Sequence, residues 1–152
     1  MNTTENLRLW LRSCPALSEG NRFGIDFLGS NSTEYALYAT PTAMTYKKDI
    51  LGEVRFDSIQ TLNYVFACRL PYSRDIQGNQ ENYDLFAAVV RWIEAQNISK
   101  AFPEIEEGAV LSIMPTLSPY VFEAGTDSGR YQIQLAIKYR RKSNVERMKI
   151  NG

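Results

Sequence analysis

The sequence predicts an α+β domain with a largely antiparallel sheet, an N-terminal helix and one long helix packed on one side, and a C-terminal β-hairpin. Two observations lead to this prediction. Segments with strand character come in runs before and after the long helical segment and do not alternate with helices, which is typical of the α+β class. The chain has 152 residues, 44% hydrophobic and 22% charged, and these values suit one globular domain with its own core.

The predicted hairpin rests on the clearest period-two pattern in the chain, which lies in Asp127–Arg141. From Tyr131 to Tyr139 the odd-numbered residues are apolar or aromatic and the even-numbered ones are mainly polar, as in a strand with one buried face. The β-prone run Tyr120–Glu123 precedes this strand, and residues 124–129 between them are rich in turn-forming types. We therefore expect the two runs to pair as antiparallel neighbours.

Two segments have the spacing of amphipathic helices. In Thr3–Cys14 apolar residues recur at i, i+3, i+4 and i+7, and Thr3 or Thr4 is available as the N-cap. The main helix is predicted to run from a cap at Asn79 to about Gln96.

The main helix has two apolar stripes, which together cover more than half of its circumference. One sheet face does not need so wide an apolar surface, so the second stripe either packs under a loop or meets another subunit. The first stripe comprises Tyr83, Phe86, Val90 and Ile93, and the second comprises Leu85, Ala88, Val89 and Trp92.

Four further segments have strand character, and one more is ambiguous. The first two strands are joined by a Gly/Ser/Asn connection, which predicts a second hairpin. In the first of them Phe23, Ile25 and Phe27 share one face. Thr45–Val54 is interpreted as a strand or a flexible loop. The four strands are Asn21–Leu28, Glu34–Ala39, Ser58–Leu70 and Ala109–Met114.

Charge is balanced over the whole chain but unevenly distributed along it. There are 17 basic and 17 acidic residues, yet from Arg130 onward seven basic residues stand against Glu146 alone. The residues before Arg130 therefore have a net negative charge. An acidic body with a basic end is attracted to copies of itself as readily as to nucleic acid. We assign residues 1–142 to the domain and 143–152 to a basic arm, because the arm has almost no apolar periodicity.

The residue types that most catalytic sites require are scarce. The chain has no histidine, which excludes His-dependent triads and His-containing metal centres. Cys14 and Cys68 are far apart and lack metal-ligand spacing, so both are predicted to be small buried residues. The carboxylates of Glu104, Glu106 and Glu107 are close enough to suggest metal ligands or an acid/base pair, but solvation at the surface is the simpler interpretation. We expect no cofactor, no metal ion and no enzymatic activity.

The hydropathy pattern leads to an expectation about location. No apolar run approaches the roughly 18 residues of a membrane-spanning helix, and the first residues lack the order of a signal peptide. We therefore expect the protein in the cytoplasm, without membrane contact.

Several stretches resemble a family of small proteins encoded among the tail-assembly genes of phages and defective prophages. These stretches span most of the chain: LRLWLRSCPAL, RFGIDFLG followed by EYALYATP, YDLFAAVVRWIEAQN and GRYQIQLAIKYRR. The chain is similar in them to phage tail terminators, also called tail completion proteins. The resemblance implies a homo-hexameric ring that caps the tail tube and, in contractile tails, the last sheath ring. The implied partners are the tail tube protein, the sheath and the head–tail connector, and contractile bacteriocins use the same kind of part. The implied location is the bacterial host cytoplasm during assembly.

These considerations predict the residues of a subunit or tube interface. We also expect that the arm Lys142–Gly152 and the basic end of the last strand engage an acidic surface on a neighbouring subunit or on the tube protein. The alternative function is a nucleic-acid-binding accessory factor that acts through the same basic tail, although no specific nucleic acid is expected as a partner of the ring. The predicted interface residues are Leu85, Val89, Trp92, Lys138, Arg140, Arg141 and Lys142.

Overall fold

The computed structural model describes residues 2–17, 21–29, 33–55, 58–71, 76–116, 120–124 and 128–141. Within these ranges, two helices and a mostly antiparallel sheet confirm the α+β class. The elements in chain order are α1 (Thr3–Arg12), β1 (Phe23–Ile25), β2 (Glu34–Thr40), β3 (Lys47–Lys48), β4 (Val54–Arg55), β5 (Ile59–Pro71), α2 (Ile76–Ser99), β6 (Gly108–Pro115), β7 (Tyr120–Ala124) and β8 (Ser128–Arg141).

The main sheet is organised around β8, the longest strand. Within the described residues it has six strands in the order β1-β2-β5-β8-β6, with β7 also paired to β8. Strand β5 lies along one side of β8, and β6 and β7 follow each other along the other side, all of them antiparallel to β8. The predicted C-terminal hairpin is confirmed as the β7–β8 pair, while residues 125–127 that join the two strands lie outside the described part of the chain.

The core lies between one face of this sheet and both helices. All odd-numbered side chains of β8 from Tyr131 to Tyr139 are buried, as the period-two pattern predicted. Phe86 of α2 packs against Phe66 and Tyr131, with ring centroids 5.9 and 6.4 Å apart. Leu7 of α1 is fully buried in the same cluster. The prediction that both helices cover one side of the sheet is confirmed.

The opposite face of the sheet is more buried than its sequence suggests. Val65 and Ala67 of β5 point to this face, yet both are buried, and so is Ala36 of β2. Nearby, Arg130 donates a hydrogen bond to Oε1 of the buried Gln132 at 3.1 Å. The small side chains are covered because they stand between larger neighbours on the same face.

The prediction of a hairpin between the first two strands is wrong, because β1 and β2 are parallel. Strand β1 has three residues and ends at Ile25, after which Asp26 takes a left-handed conformation with φ of 56°. A three-residue strand is only about 10 Å long, and β2 begins nine positions after its last residue. Of the three residues predicted to share one face, Phe23 is buried, whereas Ile25 and Phe27 are exposed.

The N-cap of α1 also differs from the prediction. Asn2, and neither Thr3 nor Thr4, caps the helix, since its Oδ1 accepts a hydrogen bond from the backbone N–H of Glu5 at 2.8 Å. Thr3 is buried inside the first turn, where its hydroxyl donates to the carboxylate of Glu107. A side chain that is predicted as a local cap therefore makes a long-range contact.

The main helix begins earlier and ends later than predicted, at Ile76 and Ser99, and Asn79 lies inside its first turn. The predicted arm of residues 143–152 lies outside the described residues, so the division of the chain at residue 142 stays a prediction. The ambiguous segment Thr45–Val54 proves to be a separate two-stranded sheet of β3 and β4.

Candidate interaction surfaces

The second apolar stripe of α2 is partly packed within the chain. Val89 is fully buried in the core, and its side chain has no exposed surface that a partner could contact. Trp92 is half-buried against Trp10 of α1, with ring centroids 4.8 Å apart. Val89 is therefore removed from the predicted interface. Leu85 and Trp92 keep partly exposed side chains, and their role in an interface stays a prediction.

Three of the predicted basic residues, Lys138, Arg140 and Arg141, lie at the C-terminal end of β8. Lys138 and Arg140 are exposed. Arg141 is half-buried, with its guanidinium 5.7 Å from the ring centroid of Tyr46 and Nη1 donating to the Tyr46 hydroxyl at 3.4 Å. Lys142 lies outside the described residues. The ring contact gives Arg141 a role in fixing residues 44–55 to the sheet.

A cavity of about 150 Å³ at this end of the sheet is the basic pocket, lined by Lys47, Arg55, Ser58, Ile59 and Arg140. Three cationic side chains and a hydroxyl around so small a volume suit a carboxylate or a phosphate group, whose oxygens accept charge-assisted hydrogen bonds. Sequence analysis missed this pocket because its residues are distant along the chain. The β5–β8 register, which pairs Ile59 with Arg140, brings them together.

Residues 44–55 form what we call the projecting hairpin, and every one of them is exposed. At its tip, the side chains of Ile50 and Leu51 are 103% and 83% exposed. The turn is well ordered, because Oδ1 of Asp49 accepts hydrogen bonds from the backbone N–H groups of Leu51 and Glu53 at 2.9 and 3.0 Å. Gly52 completes the turn with φ of +83°, a conformation that glycine adopts without strain.

The base of the projecting hairpin is fixed to the sheet. The amide of the buried Gln60 in β5 accepts a hydrogen bond from the backbone N–H of Thr45 at 3.1 Å and donates to the Thr45 carbonyl. Three more large apolar side chains of the hairpin are also exposed: Met44, Tyr46 and Val54. The signal of this hairpin in the sequence is the apolar pair before Gly52, in the charged segment that is interpreted above as a strand or a flexible loop.

A second concave surface, the acidic groove, lies between the end of α2 and the start of β6. It has a volume of about 460 Å³. Phe102, Pro103 and Ile105 provide apolar walls, and Glu104 lies among them. The neighbouring carboxylate of Glu106 is exposed. The remaining lining residues are Lys100, Gly108, Ala109 and Val110.

Helix α1 holds the acidic groove in place. Asn6 Nδ2 donates to the Glu104 carbonyl at 3.0 Å, and the Glu106 backbone N–H donates to Thr3 Oγ1 at 2.9 Å. Nε1 of Trp10 donates to the carbonyl of Ala101 at 2.8 Å. Of the three carboxylates, Glu104 lines the groove, and Glu104 and Glu106 are exposed, as expected for solvation at the surface.

The two thiols are free and buried. Burial raises the pKa of Cys68 well above its usual value, and it also raises the pKa of Cys14. A raised pKa lowers the thiolate fraction at any given pH, and the thiolate is the reactive form.

We expect both thiols of the native protein to resist an aromatic disulfide reagent at about pH 8. Both should then react at once in denaturant. Ile50→Cys is the matched control, because it places a thiol at the exposed tip of the projecting hairpin and should react without delay. Rapid labelling of the unchanged native protein would contradict the burial of Cys14 and Cys68.

Comparison with models of protein families and with curated protein sequences finds no match. In the part of the chain that the structure describes, no three or more His, Cys, Asp or Glu side chains are grouped to hold a metal ion. Among the same residues, no helix combines the length and apolar content needed to cross a membrane.

Proposed function

We propose that this chain is a tail terminator, a structural protein that assembles as a hexameric ring on the end of a phage tail tube or of a related contractile particle. The projecting hairpin is the observation that carries the proposal. Ile50 and Leu51 are exposed at its tip, and its strands have only two residues each. So short a hairpin gains little stability by itself, and exposed apolar side chains grouped in this way are typical of protein interaction sites.

Two further features support assembly with other protein copies. The chain has two different concave surfaces: the basic pocket with three cationic side chains, and the acidic groove, which is lined by Glu104 and Lys100 and has the exposed Glu106 beside it. Different surfaces that bind each other between copies produce head-to-tail contacts, and these close into a ring when the rotation between copies permits it. Four stretches, spread over most of the chain, resemble tail terminators. This resemblance supports a tail-terminator ring in particular.

The test of this function is assembly, alone and on tail tubes. We expect the mass of the purified protein, measured by native mass spectrometry, to match a hexamer, either in solution or after mixing with tubes. Negative-stain microscopy should then show a ring at one end of each tube. A chain that stays monomeric and leaves tubes uncapped would refute the proposal.

The predicted arm is tested in the same assay. Deletion of residues 143–152 removes two basic residues, Arg147 and Lys149, and one acidic residue, Glu146. If the arm binds an acidic surface of a neighbour, this deletion should weaken capping at low salt more than at high salt. Unchanged capping would leave the arm without a role in assembly.

The basic pocket favours one second candidate, a nucleic-acid-binding factor. Three cations that converge on one small cavity are also suited to a backbone phosphate. This candidate predicts DNA affinity that falls steeply between about 50 and about 200 mM salt, because phosphate contacts release counterions. Fluorescence anisotropy with a short duplex separates the candidates, since the ring predicts little affinity at either salt concentration.

A further inference from the structure

We propose that copies of this chain join head to tail, with the projecting hairpin and basic pocket of one copy docked on the acidic groove of the next. This inference rests on the proposed ring and names the contact that closes it.

The donor surface combines apolar and cationic groups in a fixed arrangement. Ile50 and Leu51 stand at the tip of the projecting hairpin, and Lys47 and Arg55 lie in its two strands at the basic pocket. The tip is ordered by hydrogen bonds of Asp49, and the base by Gln60. A partner that binds it therefore pays little entropy for ordering the hairpin.

The acceptor surface has the complementary chemistry. The acidic groove offers the partly exposed Phe102 and Pro103 to apolar side chains, with Glu104 in its wall and Glu106 exposed beside it, while Ile105 is buried. Its carboxylates match the cations at the base of the hairpin, while Lys100 is the one cation among the lining residues. Hydrogen bonds between α1 and residues 104 and 106 fix the shape of the groove in the absence of a partner.

The two surfaces lie next to each other at one end of the sheet. Arg140 of the basic pocket pairs with Ile59 on one side of β8 and with Ala109 of the acidic groove on the other side. The hairpin tip nevertheless points into solvent, since Ile50 is fully exposed within its own chain. The two surfaces are different parts of the chain, so each copy can offer its hairpin to one neighbour and its groove to another. That arrangement is the requirement for a heterologous ring.

Charge reversal tests the contact. The donor variant is Lys47→Glu with Arg55→Glu, and the acceptor variant is Glu104→Lys with Glu106→Lys; all four side chains are exposed, so the fold should be retained. Each variant alone places like charges against each other, and we expect at least about a tenfold loss of self-affinity, smaller at high salt.

Mixing the two variants in equal amounts should restore assembly. Each donor surface then finds an acceptor surface of opposite charge only on the other variant. The two variants must therefore alternate around the ring, and a ring with an even number of copies can close. Native mass spectrometry with one variant isotopically labelled should show three copies of each in the proposed hexamer. Arg91→Glu and Glu94→Lys, exposed on α2 and lining neither surface, are the matched controls and should assemble like the parent chain.

Cysteine cross-linking tests the direction of the contact. Because the native thiols are buried, Ile50→Cys combined with Ala109→Cys gives two exposed thiols on the two surfaces. Mild oxidation should produce a ladder of covalent oligomers up to the full ring, whereas each single variant should produce no ladder beyond a dimer.

The outcomes separate the inference from the proposed function. If the parent chain forms rings and both reversed variants form them equally well, the docking inference is overturned and the ring stands. If the parent forms no ring in solution or on tubes, the proposed function itself fails. Cross-links from Ile50→Cys to tube protein, or a DNA affinity that the donor variant loses, would assign the hairpin another occupant and overturn the contact between copies.

Discussion

Replacement of Phe66 by alanine should remove about 3–5 kcal/mol from the free energy of unfolding, the cost expected for emptying a fully buried aromatic site. Phe66 is 0% exposed and lies at the centre of an aromatic group in the core. Its ring centroid is 5.6 Å from that of Phe23 and 5.9 Å from that of Phe86. Domains are stable by only about 5–15 kcal/mol, so this single change should remove a large part of the total.

Phe27→Ala is the matched control for this prediction. Its side chain is 54% exposed and packs only loosely, with the Arg22 guanidinium 5.0 Å from the ring centroid. We expect a loss of about 1 kcal/mol or less, the size of an exposed cation–π contact. Urea unfolding monitored by circular dichroism measures the free energy of unfolding of both variants. The comparison requires that the slope of this free energy with urea concentration is the same in both. Similar losses for Phe66→Ala and Phe27→Ala would contradict the placement of the core.

Replacement of Asn97 by alanine should cost about 2–4 kcal/mol, because it leaves two backbone groups of a buried residue without a partner. The Asn97 side chain lies between α2 and the outer edge of β6. Its Nδ2 donates to the Ile113 carbonyl at 2.7 Å, and its Oδ1 accepts from the Ile113 N–H at 3.0 Å. One amide thus binds the edge of the sheet as a neighbouring strand would.

Ser99→Ala is the comparison, since Ser99 is exposed near the end of the same helix and its hydroxyl bonds only to carbonyls of its own helix. It should change the free energy of unfolding by less than about 0.5 kcal/mol. Hydrogen exchange offers a second measurement, because the amide of Ile113 should lose protection in Asn97→Ala and keep it in Ser99→Ala. Retained protection in Asn97→Ala would show that β6 is held at this point by other contacts.

The elements found correctly from sequence are those whose signal is local. The alternation from Tyr131 to Tyr139 repeats over the whole length of β8, and every odd-numbered side chain is buried as predicted. The apolar spacing of α1 and α2 likewise identified both helices, with errors of a few residues at their ends. Strands and helices have fixed periods, so a long segment with one buried face shows that period in its own residues.

The pairing of strands was harder to predict from the sequence than the strands and helices themselves. Strands β1 and β2 were predicted as a hairpin from the turn-forming residues between them, but they are parallel. The same turn-forming residues are compatible with an antiparallel hairpin and with a connection between parallel strands. The difference is decided by contacts such as the hydrogen bond from the Asp26 N–H to the Leu37 carbonyl at 2.9 Å.

By itself the sequence determined the class of fold, the face of β8 that is buried and the uneven distribution of charge. Only the tertiary structure decided which surfaces are open: it buried Val89, which lies in an apolar stretch, and exposed Ile50, an apolar residue within a charged segment. It also assembled the basic pocket from Lys47, Arg55 and Arg140, and fixed the acidic groove with side chains of α1. Secondary structure follows from the period of neighbouring residues, whereas a binding surface depends on register and packing between residues nearly a hundred positions apart.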